Sequence, residues 1–226
     1  MRCDAIIVAA GASERFGSGL KQTALLIDRP LLAWSVERLA RHDRIDGVTV
    51  VAPPGREDEI ASALAGQWGA MVRRIVPGGD TRQESVMRGL DALSDGAQAV
   101  LIHDAARPCA TDALIESVVE SLDEHSAVVP AVAARDTLVL EHDGAVDAVV
   151  DRVNVRHVQT PQVFRAELIV RAHRRAHTRG LTASDDGALV LALGEPVAIV
   201  DGDPRNIKIT WPGDMVVAEA ILREMR

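Results

Sequence analysis

The 226-residue chain has no tyrosine and only 2% aromatic residues. Its core must therefore be built from Ala, Val, Leu and Ile, and it lacks the exposed rings on which proteins stack single-stranded bases. The two cysteines, Cys3 and Cys109, stand far apart and form no C-x-x-C pair, which argues against structural zinc and for a reduced compartment. No apolar stretch approaches the ~20 residues that cross a bilayer, and the first residues run into a strand-like segment with no cleavable signal pattern. A cytoplasmic chain with no membrane partner is expected. Positive charge is also short: 25 Lys and Arg against 33 Asp and Glu leave a net charge of −8, which speaks against nucleic acid as a partner. A small anionic ligand stays open, because a local cluster of cations can hold phosphates on an acidic protein.

What is present is an alternation. Ala5–Ala10, Val48–Ala52, Val72–Val76, Ala99–His103 and Ala127–Val132 are short, apolar and rich in β-branched residues, as strands of a parallel sheet covered on both faces are. Helical patterns separate them at Leu31–Arg41, Glu57–Leu64, Thr81–Leu93 and Asp112–Leu122, the last capped by Thr111 or Asp112. Strand–helix alternation of this kind predicts a three-layer α/β/α fold with a mostly parallel twisted sheet, in one domain spanning residues 1–226. Asp136–Arg156 breaks the rhythm with two β-like halves around His142-Asp143-Gly144 and reads as an inserted β-hairpin. Such a hairpin is marginal in water unless covered, so it either packs back on its own domain or serves as a dimerisation arm. Helices near Ala166–Thr178 and Asp185–Leu193, a strand near Val197–Val200 and a helix from Asp214 complete the pattern.

Four segments can carry chemistry. The loop Ala9–Gln22 sets Arg15 and Lys21 among small residues that let backbone N–H groups approach a phosphate. It has neither Walker spacing nor the Rossmann glycine triplet, so a solvated surface loop is nearly as good a reading. His103-Asp104-Ala105-Ala106-Arg107-Pro108 follows a strand, where ligands of open α/β sheets bind. Gly78-Gly79-Asp80-Thr81-Arg82-Gln83-Glu84-Ser85 is a double-glycine turn entering a helix, either an anion site or a plain helix start. In Asn206-Ile207-Lys208-Ile209-Thr210 a lone lysine interrupts an apolar run, as a functional cation or an edge lysine of a strand.

Taken together, A-A-G-x-x-x-R-F at Ala9–Phe16, Lys21-Gln22, Gly78-Gly79-Asp80, H-D-A-A-R-P at His103–Pro108, Asp136-Thr137, Asp151-Arg152, Thr160-Pro161-Gln162 and Asn206-Ile207-Lys208 resemble the 2-C-methyl-D-erythritol 4-phosphate cytidylyltransferase family. The motifs fall in family order over nearly the whole chain, and H-D-A-A-R-P and T-P-Q are specific to the group. The resemblance implies a Rossmann-like nucleotidyltransferase fold and transfer of CMP from CTP to methylerythritol 4-phosphate, with pyrophosphate released. It also implies Mg²⁺ carried on the triphosphate, with Asp104 as the candidate neighbour and no dedicated protein metal site. By the same resemblance Arg15, Lys21, Arg152 and Lys208 are catalytic. Ala9, Ala10, Gly11, Gly79, Asp80, Ser85, Asp104, Ala105, Arg107, Thr137, Thr160 and Ser184 bind the substrates. Thr137 and Arg152 would reach the site across a homodimer interface made by the 136–156 arm. Ser13, Leu20 and Ser184 depart from the glycine, proline and threonine common in the family. A cytidylyltransferase for another polyol phosphate, such as ribitol 5-phosphate, and a non-catalytic nucleotide-binding regulator are the alternatives.

Overall fold

The computed structural model describes residues 2–11, 16 and 19–225. The chain opens with β1 (Cys3–Val8), a small ribbon of β2 (Leu25–Leu26) and β3 (Arg29–Pro30), α1 (Leu31–Ala40) and β4 (Ile45–Ala52). It continues through α2 (Glu57–Ala63), β5 (Val72–Pro77), α3 (Arg82–Asp91), β6 (Ala99–Asp104), α4 (Asp112–Ser121) and β7 (Ala127–Ala133). The last third holds β8 (Leu138–His142), β9 (Ala145–Val150), β10 (Arg156–Val158) and β11 (Gln162–Arg165), then α5 (Ala166–Arg179), α6 (Asp186–Leu191), β12 (Ala198–Asp201) and α7 (Asp214–Glu224).

The main sheet runs β5-β4-β1-β6-β11-β7, with β10 and β12 also paired to β7. Strands β5, β4, β1 and β6 pair in parallel, as does β12 with β7. Period-two alternation sorts the apolar side chains of the central strands into two layers. Ala5, Ile7 and Leu101 face Val36 of α1, Ile60 of α2 and Ile115 of α4. Ile6, Val100 and Ile102 face Val86 of α3, Ile169 of α5 and Val190 of α6. This is the expected three-layer α/β/α arrangement. Because both faces are covered, the central strands carry runs of consecutive apolar residues rather than a strict alternation. Helix α3 starts on a capping box, in which Thr81 accepts from Glu84 N–H while Glu84 reaches back to the cap. Thr111 caps α4.

Several details differ from the sequence expectation. Ala9 and Ala10 lie beyond the end of β1 and begin the loop. The hairpin is confined to β8 and β9, which among the described residues pair only with each other, and its turn has positive φ at Asp143 and Gly144, the type I′ geometry that favours Asp-Gly. Arg156, expected to close the hairpin, instead begins β10, which joins the main sheet. Strand β11 has no counterpart in the pattern reading and runs antiparallel between β6 and β7. Asn206–Thr210 is not a strand; the segment is fixed by Ile209 N–H donating to the Ala106 carbonyl at 2.8 Å.

Helix α3 lies close on the sheet because position 89 is glycine. A Cβ there would sit 2.6 Å from Ile6 Cγ2 and 3.1 Å from Val51 Cγ2, both on buried central strands. Gly89→Ala should therefore lower the urea midpoint: overpacking of ~1–3 kcal/mol outweighs the ~1 kcal/mol gained in helix propensity. An unchanged or higher midpoint would show that the strands yield.

Candidate functional site

A crevice of about 590 Å³ opens at the carboxyl ends of β1, β4 and β6. Strand β1 lies between β6 and β4, so the chain leaves it in opposite directions in the sheet, which is where open α/β folds bind ligands. Ala10 and Gly11 form one wall, with Lys21, Arg82, Asp104 and Lys208 also facing the space. The Gln22 amide fastens the loop by donating to the carbonyls of Ala9 at 2.6 Å and Gly11 at 3.1 Å. Gly78 allows the opposite wall to approach, since a Cβ there would lie 2.5 Å from Ala10 Cβ and 2.8 Å from Ser85 Oγ.

The electrostatic centre is Asp104, the last residue of β6. Its Oδ1 accepts from Arg82 Nε at 3.0 Å and its Oδ2 from Lys208 Nζ at 2.7 Å. Burial by itself would raise this carboxyl, but Arg82 and Lys208 outweigh burial and hold it well below the usual carboxylate range. Arg82 also pairs with Asp186 at 2.8 Å, and Asp186 lies 3.0 Å from His173 Nε2. Burial would weaken the Arg82 charge; Asp186 and Asp104 more than reverse that and stabilise the guanidinium. Lys21 donates to the Ile209 carbonyl at 2.7 Å. Two ammonium groups that stand far apart in sequence are thus carried by adjoining pieces of backbone at the same crevice.

Behind Asp104, a neutral histidine sets the strand end. His103 Nε2 contacts the Arg107 carbonyl at 3.1 Å, which can only accept, so Nε2 carries the proton. Nδ1 is then an acceptor for the Thr160 hydroxyl at 3.1 Å, leaving Thr160 Oγ1 to accept from Asp104 N–H at 3.0 Å. Burial lowers His103 to about 4, consistent with the neutral ring. Thr160 reaches this position because the 159–162 stretch carries two more residues than β7 opposite it, between the pairings Val158↔Ala131 and Val163↔Val128.

The expected site residues divide into three groups. Lys21, Lys208, Ala10, Gly11, Gly79, Asp80, Ser85 and Asp104 line the crevice. Ala9 and Ala105 are buried next to it, and it is Ala106 that lines it. Ser85 Oγ is engaged internally, accepting from Gly79 N–H at 3.2 Å and donating to the Thr81 carbonyl at 2.8 Å. Glu84 occupies the N–H groups of Asp80 and Thr81, so these two donors at the start of α3 are already used. Thr160 acts from behind, and Arg107 donates to the Asn206 carbonyl at 2.7 Å, below the Lys208 segment. Thr137, Arg152 and Ser184 are exposed and outside the crevice, the first two at the base of the hairpin, where Arg152 donates to the Arg135 carbonyl. Arg15 and Ser13 lie outside the described residues.

The sequence reading assigned no role to Arg82, Asp186 and His173. Arg82 carried a signal: it is the first residue of α3, where a cation opposes the helix dipole and so needs another reason to be there. His173 carried none, as it stands among alanines and arginines of an amphipathic helix.

Comparison with known proteins gives the family and the fold. The family model described as 2-C-methyl-D-erythritol 4-phosphate cytidylyltransferase matches residues 3–224. A protein of that name from Desulforamulus reducens is 43% identical over 97% of this chain and 95% of its own length. The crystal structure of the enzyme of that name from Thermus thermophilus superposes with a TM-score of 0.81 at 38% identity, over 96% of this chain and 98% of that one. A 4-diphosphocytidyl-2C-methyl-D-erythritol synthase structure from Anaerococcus prevotii gives 0.85 at 30% identity, over 98% and 96%.

The buried neutral His103 makes stability depend on pH. Its ordinary value of 6.5 falls to about 4 on folding, so between these values the unfolded chain binds a proton that the folded chain refuses. Stability is complete above that window and is lost as pH falls through it, with a slope approaching one proton, ~1.4 kcal/mol per pH unit. Asp104 and Asp186, both held low, extend the loss into more acid solution. Urea midpoints measured across the window should show this slope. His103→Gln, which keeps a donor for the Arg107 carbonyl, should flatten it; an unchanged slope would assign it to other groups.

Proposed function

This chain belongs to the 2-C-methyl-D-erythritol 4-phosphate cytidylyltransferase family, and from that membership and the crevice we infer both its reaction and the residues that perform it. It is a nucleotidyltransferase that transfers CMP from CTP to 2-C-methyl-D-erythritol 4-phosphate in the non-mevalonate isoprenoid pathway. A phosphate oxygen of the polyol attacks the α-phosphorus, the bond to the β-phosphate oxygen breaks, and pyrophosphate leaves with the electron pair. No protein nucleophile is needed. The requirement is for positioned cations where charge accumulates and for alignment of the two substrates.

The observation that carries the assignment is the convergence of Lys21 and Lys208 on one crevice, each oriented by a protein oxygen at 2.7 Å. In this reading both lysines, with Arg15, stabilise the charge on the reacting phosphates. Ala9, Ala10 and Gly11 grip the triphosphate, and Gly79, Asp80 and Ser85 hold the cytidine, Ser85 by shaping the turn. Asp104, Ala105, Arg107 and Thr160 build the floor between the two substrates. Mg²⁺ fits as an ion carried by CTP, for which Asp104 supplies a buried, ionised carboxylate facing the crevice; it would offset triphosphate charge while the lysines orient the phosphates.

The hairpin would supply the remaining contacts from a second copy. Val139, Leu140, Val146 and Val149 are 44–68% exposed on an isolated two-stranded ribbon, and such a surface needs cover. A homodimer through the 136–156 arm would provide it and bring Thr137 and Arg152 to the partner's crevice, with Ser184 at its margin. No described helix is long and apolar enough to cross a membrane; a cytoplasmic location belongs to this reading, with Lys21, Arg82 and Lys208 supplying at the crevice the positive charge that a chain of net charge −8 lacks overall.

Pyrophosphate release from CTP in the presence of methylerythritol phosphate tests the reaction; preference for ribitol 5-phosphate would overturn the substrate assignment. Lys208→Ala should lower kcat by ~10²–10³-fold, and full turnover in that variant would remove Lys208 from the chemistry. Val149→Asp should shift sedimentation towards the monomer and reduce turnover together. A dimer that persists unchanged would place the interface elsewhere.

A further inference from the structure

Arg82 connects the crevice to the far side of α3, and what holds Arg82 there is a buried chain of side chains from two other helices. Its guanidinium meets two carboxylates: Nε is 3.0 Å from Asp104 Oδ1, and Nη1 is 2.8 Å from Asp186 Oδ2. The contact to Asp104 is a hydrogen bond, whereas that to Asp186 is an ion pair in which Oδ2 has no hydrogen-bond partner among the described residues. Asp186 is 1% exposed at the first turn of α6, so its other oxygen needs a donor of its own. His173 Nε2, on α5, provides it at 3.0 Å. His173 is fully buried beside Ile169, Ala172 and Ala176 of the apolar layer, and its Nδ1 has no hydrogen-bond partner among the described residues. An imidazole in that place costs desolvation and returns one hydrogen bond, so an aliphatic side chain would serve packing better.

The rest of the assembly around Asp186 is fastened independently. Gln162 donates to Asp185 Oδ2 at 3.0 Å and accepts from Gly187 N–H at 3.3 Å. Gln83 donates to the Leu181 carbonyl at 3.0 Å and accepts from Ala183 N–H at 3.2 Å. The backbone of α6 is therefore placed without His173. What His173 alone determines is the rotation of the Asp186 carboxylate.

We propose that His173 is a positioning residue for the transfer reaction: through Asp186 it locks the guanidinium of Arg82, and Arg82 in turn holds the Asp104 carboxylate in the orientation that presents Lys208 to the phosphates. The inference rests on the role given above to Asp104 and Lys208. Loss of the donor leaves an unsatisfied carboxylate oxygen that turns to find a partner, and Arg82 turns with it.

Two amides at position 173 separate this role from packing. Glutamine places its NH₂ near the imidazole Nε2, within reach of Asp186; asparagine places it near Nδ1, out of reach. His173→Gln should keep kcat within about threefold of the parent protein, whereas His173→Asn should lose roughly tenfold or more, since small misplacements of catalytic groups cost rate on this scale. In parallel, the Arg82 Nε–H resonance should exchange slowly with water in the parent protein and in His173→Gln, and rapidly in His173→Asn. Equal kcat in the two variants would overturn the proposal, as would a loss confined to thermal stability. Rapid exchange at Arg82 in the parent protein overturns it even if neither variant folds. Because the resonance is read without substrate, a lack of cytidylyl transfer by the parent protein would reject the functional assignment separately.

Discussion

A buried carboxylate that must stay ionised organises this protein. Asp104 ends a central strand where water is scarce, and it keeps its charge only because a guanidinium and an ammonium meet its two oxygens. Isolated charges in such places are so costly that they neutralise or do not occur. The two cations come from opposite directions: Arg82 from the start of a helix on one face, Lys208 from an irregular segment near the end of the chain. Buried ion pairs contribute little net stability compared with apolar packing of the same volume. The network is better understood as a means of placement, giving Lys208 one defined position in a crevice that would otherwise contain a flexible side chain.

The neighbouring segments follow from this requirement. The two-residue excess in the 159–162 stretch brings the Thr160 hydroxyl behind Asp104, and the neutral His103 fixes the direction of that hydroxyl. Buried Asn206 donates to the Thr160 carbonyl at 2.8 Å and so ties the Lys208 segment to the same stretch. Motifs that stand separately in the sequence, H-D-A-A-R-P, T-P-Q and N-I-K, are thus parts of one hydrogen-bonded unit.

The legibility of the chain depended on how each element is stabilised. Strands covered on both faces carry continuous apolar runs, so β1, β4, β6 and β7 could be read directly. The hairpin was visible because a type I′ turn demands particular residues, and Asp143-Gly144 supplies them. Strand β11 was not visible: Gln-Val-Phe-Arg is four residues long with polar ends, and it is held by ladders to two neighbours rather than by any preference of its own. Lys208 looked like part of a strand because Ile207 and Ile209 flank it, yet that segment takes its shape from tertiary bonds to Ala106 and Asp104. The crevice residues Lys21, Asp104 and Lys208 stood in segments marked by small residues, a strand end and an interrupted apolar run, and the motif resemblance supplied their roles, whereas their supports Asp186 and His173 belong to no local pattern. Their meaning exists only once three helices are packed together.

The bond from Lys21 to the carbonyl of Ile209 joins positions 188 residues apart, and Asp104 meets Lys208 only after another 104 residues have followed it. During synthesis, the sheet strands β1, β4, β5 and β6 are all available long before the segment that carries Lys208 leaves the ribosome. A nascent chain can therefore build most of its parallel core while the crevice still has an undercompensated acid at its floor. The later segment therefore completes the charge balance of a floor already laid by the sheet, and its docking joins the first and last parts of the chain at one crevice.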